Sequence, residues 1–384
     1  MNGDHHFSRA HLVARRTQAA NRSRAELGAF GLAKSDDDKQ VQAWLQTLGV
    51  ASGHTNKAAL AHHRDNAGVM ALVNWRRLIA FLRDLGPKVL AAARSSADGR
   101  VHATFDPLGA ETGRFSCENP NLLGLPKDPE VRGCIIPAPG HVFISADFQT
   151  IDLRVLADVT GDERLQAVFK RDGDPHREMA ALLLKKVSAD VTSDERQRAK
   201  AVGLGFAFGM GERRFVEHAL AEYGVNFTVN QAREFRTAYL ESHPQVAAWQ
   251  RRARDSRQTE VRTKSGRRRL LSAGSYTQRL NTEVQGTAAD GMKRAMVLIH
   301  ERLKPFSARL VLCVHDEPLV ECPAEHANTV KSIVIAAMVE GMSEFVKSVP
   351  ITVTSSIRST WAEDDALVTL APRNTQSETP RSPV

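Results

Sequence analysis

The sequence predicts an α+β fold, and three observations carry the prediction. Short β-like pieces over 101–105 and 141–146 are separated by Gly, Pro and Asn, whereas 160–260 is helical in pattern and strongly charged. Residues 308–322 read as a β-hairpin, two apolar runs around His315-Asp316. From Glu325 to Val346 the apolar positions Val330, Ile333, Val334, Ala337, Met338 and Phe345 recur at helical spacing. At 384 residues, the chain is expected to form one composite domain of two or three subdomains, and it contains no internal repeat.

Along the chain, residues 1–35 are polar and rich in Arg and Ala. Ser35-Asp-Asp-Asp-Lys39 then places acids against a helix dipole, leading into Val41, Trp44, Leu45 and Leu48. A second helix is expected over 67–94, on Val69, Leu72, Val73, Trp75, Leu78, Ile79, Leu82 and Leu85, with a break or bend at Pro87. The stretch from Ala371 to Val384 has the Pro/Ser/Thr/Arg bias of a disordered tail.

Lys plus Arg (52) exceed Asp plus Glu (44), a net charge of +8 that suits a polyanionic partner or simple solubility. Cys117, Cys134, Cys313 and Cys322 show no C-x-x-C spacing, which argues against a zinc site or a disulfide framework and for a reducing, cytoplasmic setting. No run approaches the ~18 apolar residues of a membrane span, and the N-terminus lacks the apolar core of a signal peptide, so no membrane partner is expected.

Two acidic positions far apart in sequence carry the chemistry. Asp147 follows the apolar run 141–146 and stands at the end of a core strand, as either a site acid or a helix N-cap. Asp316 sits in Val314-His-Asp-Glu317 at the hairpin tip, where Asn-Gly or Asp-Gly would be the ordinary turn. Clustered acids repel unless a cation neutralises them, so Mg²⁺ is the economical reading. If the two acids face each other, they can hold two ions about 3.5–4 Å apart, as in-line phosphoryl displacement requires. Glu317 is a ligand, a support for one, or a solvated hairpin acid. Between the acids, Arg196, Lys200, Leu204 and Phe208 recur every four residues after a helix start at Ser193-Asp-Glu195, grading from charge for phosphates to an apolar wall. Lys200 is also placed to protonate departing pyrophosphate. Gly203, Gly205, Gly209 and Gly211 each weaken a helix by up to about 1 kcal/mol, which implies close backbone approach or a movable helix end.

The Asp147, 196–209 and 314–317 segments resemble, in order, motifs A, B and C of family A DNA polymerases, the group of bacterial DNA polymerase I and phage relatives. Thr112-Gly-Arg-Phe-Ser-x-x-Asn-Pro-Asn121, Asp174-Pro-His176, Thr263-x-Ser-Gly-Arg-Arg-Arg269 and Asn281-x-x-x-Gln285-Gly-Thr-Ala-Ala-Asp290 extend the match over residues 98–362. The resemblance implies a right-hand fold with an antiparallel palm, helical fingers and a reduced helical thumb. It would divide into an N-terminal extension of partial order (1–35), thumb-like region (36–97), first palm part (98–159), fingers (160–262), second palm part (263–370) and tail (371–384). It implies Asp147 and Asp316 as metal ligands, for two Mg²⁺ with Mn²⁺ as a substitute, alongside Glu317 and Lys200 as catalytic groups. Arg196, Lys200 and His176 would meet the triphosphate, Leu204 and Phe208 would line the sugar and base pocket, and Asp152 would lie beneath the sugar. Arg114, Asn281, Gln285 and His315 would contact the minor groove or primer terminus, where purine N3 and pyrimidine O2 are presented by every base pair.

Departures from the family pattern gather in one pocket. Motif A usually continues Tyr-Ser-Gln-Ile-Glu, but Phe148-Gln-Thr-Ile-Asp152 stands here, so the carboxylate that meets the sugar is one methylene shorter. Leu204 replaces Phe or Tyr, and Phe208 replaces Tyr. Relaxed sugar discrimination or lowered fidelity follows. About 100 residues precede Thr112, too few for a proofreading or 5′-nuclease domain, and the shortened thumb would grip DNA weakly without a processivity or recruiting protein. Lys127, Arg132 and the 251–269 arginines are candidates for backbone contacts. The sequence thus predicts a template-directed DNA polymerase acting on primer–template DNA and dNTPs. The alternatives are a sugar-tolerant or RNA-synthesising version and a catalytically silent nucleic-acid-binding subunit.

Overall fold

The computed structural model describes residues 21, 24–32, 37–50, 54–55, 57–60, 63, 66–125, 129–272 and 274–362. The expectations for the first twenty residues, Lys127 and the tail beyond 362 lie outside them.

The N-terminal part is helical. Asp37 accepts from the amides of Lys39 (2.9 Å) and Gln40 (3.3 Å) and so starts α1 (Asp38–Thr47). α2 (Ala67–Ala80) runs through a π-helical turn, Phe81–Leu85, into α3 (Gly86–Ser95). The chain stays helical through Pro87 without a break, and the irregularity falls just before it, where the Phe81–Leu85 π-helical turn shifts the hydrogen-bond register ahead of the ring that lacks an N–H. Val41, Trp44, Leu45, Leu60, Val69 and Leu72 form a separate small core with Leu27 and Leu32.

Two small ladders follow the chain: β1 (Thr104–Asp106) pairs β2 (Ser116–Glu118), and β4 (Glu260–Arg262) pairs β5 (Arg268–Leu270). The central sheet contains β3 (His141–Phe148), β6 (Arg309–Val314), β7 (Glu317–Pro323) and β8 (Val353–Arg358), in the antiparallel order β6-β7-β3-β8. β3 extends two residues past Ala146, so Asp147 is inside the strand and level with Thr354. Between β3 and β4 lie α4 (Ile151–Thr160), α5 (Glu163–Lys170), α6 (Pro175–Leu184), α7 (Ser193–Ala207), α8 (Glu212–Tyr223), α9 (Val229–Ser242) and α10 (Pro244–Asp255). After β5 come α11 (Tyr276–Asn281), a π-helical turn (Thr282–Gly286) and α12 (Thr287–Leu303); α13 (Ala327–Ser343) separates β7 from β8.

Alternation on the strands sorts the two faces of the sheet. Val142, Ile144, Ala146, Phe148, Val320 and Cys322 share the large core with α12 and α13. Gly341 lets those two helices meet so closely that a Cβ there would lie 2.5 Å from the Ala295 nitrogen. Phe143, Leu312, Val314 and Leu319 face the opposite way, onto Phe81, Val89 and Trp361. Arg132 is a correction. It is buried, with its guanidinium 4.3 Å from the Trp361 ring centre, so it packs the fold instead of meeting a nucleic-acid backbone. All four cysteines are buried, and no helix among the described residues is long and apolar enough to cross a membrane.

Candidate active site

The sheet register places the two predicted acids together. Ser145 pairs Leu319, and carrying the register two residues further sets Asp147 level with Glu317, beside the His315-Asp316 tip. His315 takes the left-handed conformation, φ +59°, that lets Val314 and Glu317 close the hairpin with only two residues between them. Asp147 and His315 are exposed, and Asp316 is half-buried. Behind them, Thr150 (φ +50°) turns the chain sharply into α4, whose first turn carries Asp152. α4 is anchored from below by the buried Arg154, which donates to Gln149 O (2.9 Å), Pro350 O (2.5 Å) and Thr352 Oγ1 (2.6 Å).

Asp152, Asp316 and Arg114 form one electrostatic cluster. Arg114 Nη2 lies 3.5 Å from Asp152 Oδ2, while Asp152 Oδ1 is buried with no hydrogen-bond partner among the described residues. Burial pushes the Asp152 carboxyl above its ordinary range; Arg114 opposes the shift and the Asp316 charge adds to it. Asp316 is raised too, by burial first, with Arg114 and His315 opposing and Glu317 adding. One guanidinium therefore serves a surplus of carboxylate oxygens. Such hard, under-neutralised donors fit a divalent cation. No group of three or more His, Cys, Asp or Glu side chains converges among the described residues, so the protein offers no complete cage. That agrees with Mg²⁺ practice, in which one or two carboxylates suffice and phosphate and water complete the shell.

Glu317, beside Asp316, is engaged through one oxygen. Its Oε1 accepts from Ser145 Oγ (2.5 Å) and lies 3.5 Å from Arg358 Nη1. It thereby ties β3, β7 and β8 together under the two acids.

The four-residue stripe also holds. On α7, Arg196, Lys200, Leu204 and Phe208 are half-buried, whereas Ala199, Ala201, Val202, Gly203, Gly205, Phe206 and Ala207 are buried. The helix starts at Ser193, as expected, where Thr192 and Glu195 form a capping box. At the same end, Asp174 accepts from the amides of His176 (2.9 Å) and Arg177 (3.2 Å) and pairs with Arg196 Nε. Asp174 thus joins the start of α6 to the stripe, a role announced only by the Asp-Pro pairing of a helix start. Lys200 makes no ion pair among the described residues. Of the four glycines, two mark close approach: a Cβ on Gly205 would lie 2.8 Å from the Phe215 ring, and one on Gly209 (φ +72°) 2.4 Å from the Tyr276 hydroxyl.

His176 is buried in this corner. Burial lowers its pKa to about 4; Asp174 opposes the shift, and Lys200 and Arg196 add to it. In the unfolded chain it would titrate near its ordinary 6.5. The unfolded state therefore binds the extra proton between those values, and stability falls as pH drops through that window. The full effect is on the order of 3 kcal/mol. Thermal melts from pH 7.5 to 4.5 should show wild type losing more stability than His176→Gln; parallel curves would refute this burial effect.

Asn281 and Gln285 bracket the Thr282–Gly286 π-turn, and both are half-buried. The turn is fixed from beneath. Arg267 donates to Gly286 O (3.2 Å), to Thr112 O (2.8 Å) and to Asp290 Oδ1 (2.7 Å), and Arg269 reaches Thr282 Oγ1 (3.1 Å) and pairs with Glu111. These two arginines, expected among the backbone contacts, hold the Arg114 loop against the Asn281–Gln285 turn. No local pattern announces that role, since an Arg-rich hairpin reads as solvated.

Comparison with known proteins bears on the family and the fold. The family model described as DNA polymerase family A matches residues 18–363. DNA polymerase I of Aquifex aeolicus is 31% identical over 316 residues, 81% of this chain and 54% of that protein. The thermostable DNA polymerase I of Thermus filiformis is 35% identical over 281 residues, 69% of this chain and 33% of that protein. The chain thus spans between a third and about half the length of these curated relatives. Among solved structures, the POL domain of Pol1 from M. smegmatis, in complex with DNA primer-template and dNTP, superposes with a TM-score of 0.79 at 23% identity, covering 92% of this chain and 66% of that one. That likeness shows the right-hand α+β fold, with the β6-β7-β3-β8 sheet as its palm. By the family match over most of its length, the chain belongs to DNA polymerase family A.

Proposed function

We propose that the chain is a DNA-directed DNA polymerase module that extends a primer 3′ end from dNTPs on a DNA template. The observation that carries this reading is the pairing of Asp147 at the end of β3 with the Asp316 hairpin tip, in a site whose carboxylates outnumber its cations. The subdomain division follows the family: thumb-like 36–97, palm 98–159 and 263–370, fingers 160–262.

In this reading Asp147 and Asp316 hold two Mg²⁺, or Mn²⁺. The bound ions supply Lewis acidity at the primer 3′-oxygen and charge for the leaving pyrophosphate. Arg196 and Lys200 orient the triphosphate, and Lys200, free of a competing ion pair among the described residues, delivers a proton to pyrophosphate. His176 stands at the same helix corner and donates to a phosphate oxygen. Leu204 and Phe208 exclude water from the sugar and base. Arg114, Asn281, Gln285 and His315 meet the minor groove and primer terminus. Glu317, tied to Ser145 and beside Asp316, supports the catalytic acids by positioning the strands.

The shorter carboxylate at Asp152 raises the question of sugar tolerance, a variant of the activity that the family match does not favour. Asp152, one methylene shorter than the Glu usual in the family, lies 3.5 Å from Arg114 Nη2. Primer extension with Mg²⁺, run with dNTPs and with rNTPs, tests both readings. Extension is expected with each, and Asp152→Glu should raise the preference for dNTPs about tenfold. Protein that binds primer–template yet extends nothing would make it a silent clamp. Unchanged selectivity in Asp152→Glu would remove the sugar argument.

A further inference from the structure

Helix α10 sends two adjacent side chains to two different parts of the site. Gln250, 3% exposed, donates through Nε2 to the carbonyls of Phe206 (2.6 Å) and Ala207 (3.1 Å), the last turn of α7. Its Oε1 accepts from the hydroxyl of Tyr276 (3.3 Å), the first residue of α11. Arg254, one turn further along α10, stands over the Tyr276 ring at 5.1 Å. Next to Gln250 in sequence, Trp249 donates through Nε1 to Glu283 Oε2 (2.8 Å), inside the π-turn between Asn281 and Gln285.

The final carbonyls of a helix have no partners within it, so whatever satisfies them sets where the helix end lies. For α7 part of that group comes from another helix: Phe206 O also accepts from the Gly209 amide (3.1 Å), so in this dry site losing Gln250 strands the Ala207 carbonyl. Gly209 removes the one side chain that would hold Tyr276 away from this junction. The end of α7 carries Leu204 and Phe208, and the π-turn carries Asn281 and Gln285.

We infer that α10 is a strut, with Gln250 and Trp249 as positioning residues, that couples the seating of the primer terminus on the Asn281–Gln285 turn to the position of the α7 end. The inference rests on the nucleotide-binding reading of α7 given above. A mispaired primer end that shifts the π-turn pulls on Glu283 and Tyr276, and through Trp249 and Gln250 displaces the pocket for the incoming nucleotide. Neither residue touches substrate.

Single-nucleotide insertion from matched and mismatched primer ends tests this, on wild type, Gln250→Met, Tyr276→Phe and the double variant. Gln250→Met keeps the volume and loses the donors. It is expected to raise the dNTP KM on a matched primer about tenfold, with kcat within about threefold. Mismatched extension should hardly change, so the ratio of matched to mismatched kcat/KM shrinks about tenfold. Tyr276→Phe should add little in the Gln250→Met background, since the two act through one junction. Equal losses on matched and mismatched primers would reduce the junction to packing and overturn the strut. Should Gln250→Met fail to fold, Trp249→Phe tests the same link from its other end, with the same shrinking ratio expected and an unchanged ratio overturning it. A wild type that inserts nothing would instead overturn the polymerase reading.

Discussion

Asp316→Ala is expected to lower primer extension at least about a thousandfold while raising the melting temperature. The first effect follows from removing half of the cation site, since the several kcal/mol that metal ions supply correspond to at least three decades in rate. The second follows from the ionisation of Asp316. Burial holds its carboxyl above the ordinary range. The folded state then binds more protons than the unfolded one, so stability is complete below about pH 4 and is lost as pH rises through the folded pKa. At neutral pH the charge is a standing cost, and alanine or asparagine removes it. Single-turnover extension, anisotropy with labelled primer–template and melts at pH 4 and pH 7.5 check all parts. The melting gain should be present at pH 7.5 and absent at pH 4, with DNA affinity retained. An Asp316→Ala protein that still extends primers at a tenth of the wild-type rate would refute the assignment.

Asp290→Ala is expected to cost about 3–5 kcal/mol of stability, the usual penalty for stripping one partner from a buried ion pair. Asp290 accepts from Thr263 Oγ1 (2.7 Å), Ser265 Oγ (2.6 Å) and Arg267 Nε (2.7 Å), and is 9% exposed. Without it Arg267 keeps a charge in a largely buried place and loses its hold on Thr112 O and Gly286 O. Primer–template affinity should then fall with stability, because those carbonyls belong to the Arg114 loop and the Asn281–Gln285 turn. Urea unfolding separates the two consequences. Arg267→Met combined with Asp290→Leu should recover much of the stability and little of the DNA affinity. A loss below about 1 kcal/mol for Asp290→Ala would show the network to be expendable.

The parts of this site written in strong local patterns were legible in the sequence. The apolar run 141–146 and the paired runs around His315-Asp316 announce their strands through β-branched and aliphatic side chains. The stripe from Arg196 to Phe208 announces α7 through spacing alone. What escaped depends on partners far along the chain. Strand β8, Val-Thr-Ser-Ser-Ile-Arg, is too polar to read as a sheet member and exists through its pairing with β3. Arg132 is buried against Trp361, which meets its planar head, and Glu317 accepts from Ser145 across the ladder. Nor does the sequence show Gln250 at the end of α7, since a polar residue on a charged helix signals solvent. The π-turns at Phe81–Leu85 and Thr282–Gly286 likewise follow from packing and leave no periodic trace.

The pairing of β7 with β3 has a kinetic consequence. Ser145 and Leu319 stand 174 positions apart, as 319 − 145 gives, yet they are neighbours in the sheet that brings Asp147 to Asp316. Contacts of such long range close late, after the intervening helices have condensed, because each must first overcome the entropy of a long loop. A partly folded chain can therefore display a finished α7 and a finished hairpin while remaining inert. With the proposed activity, turnover during refolding should return in step with the slowest sheet-forming phase and lag behind the recovery of helix, so that the first primer extension times the closing of the central sheet.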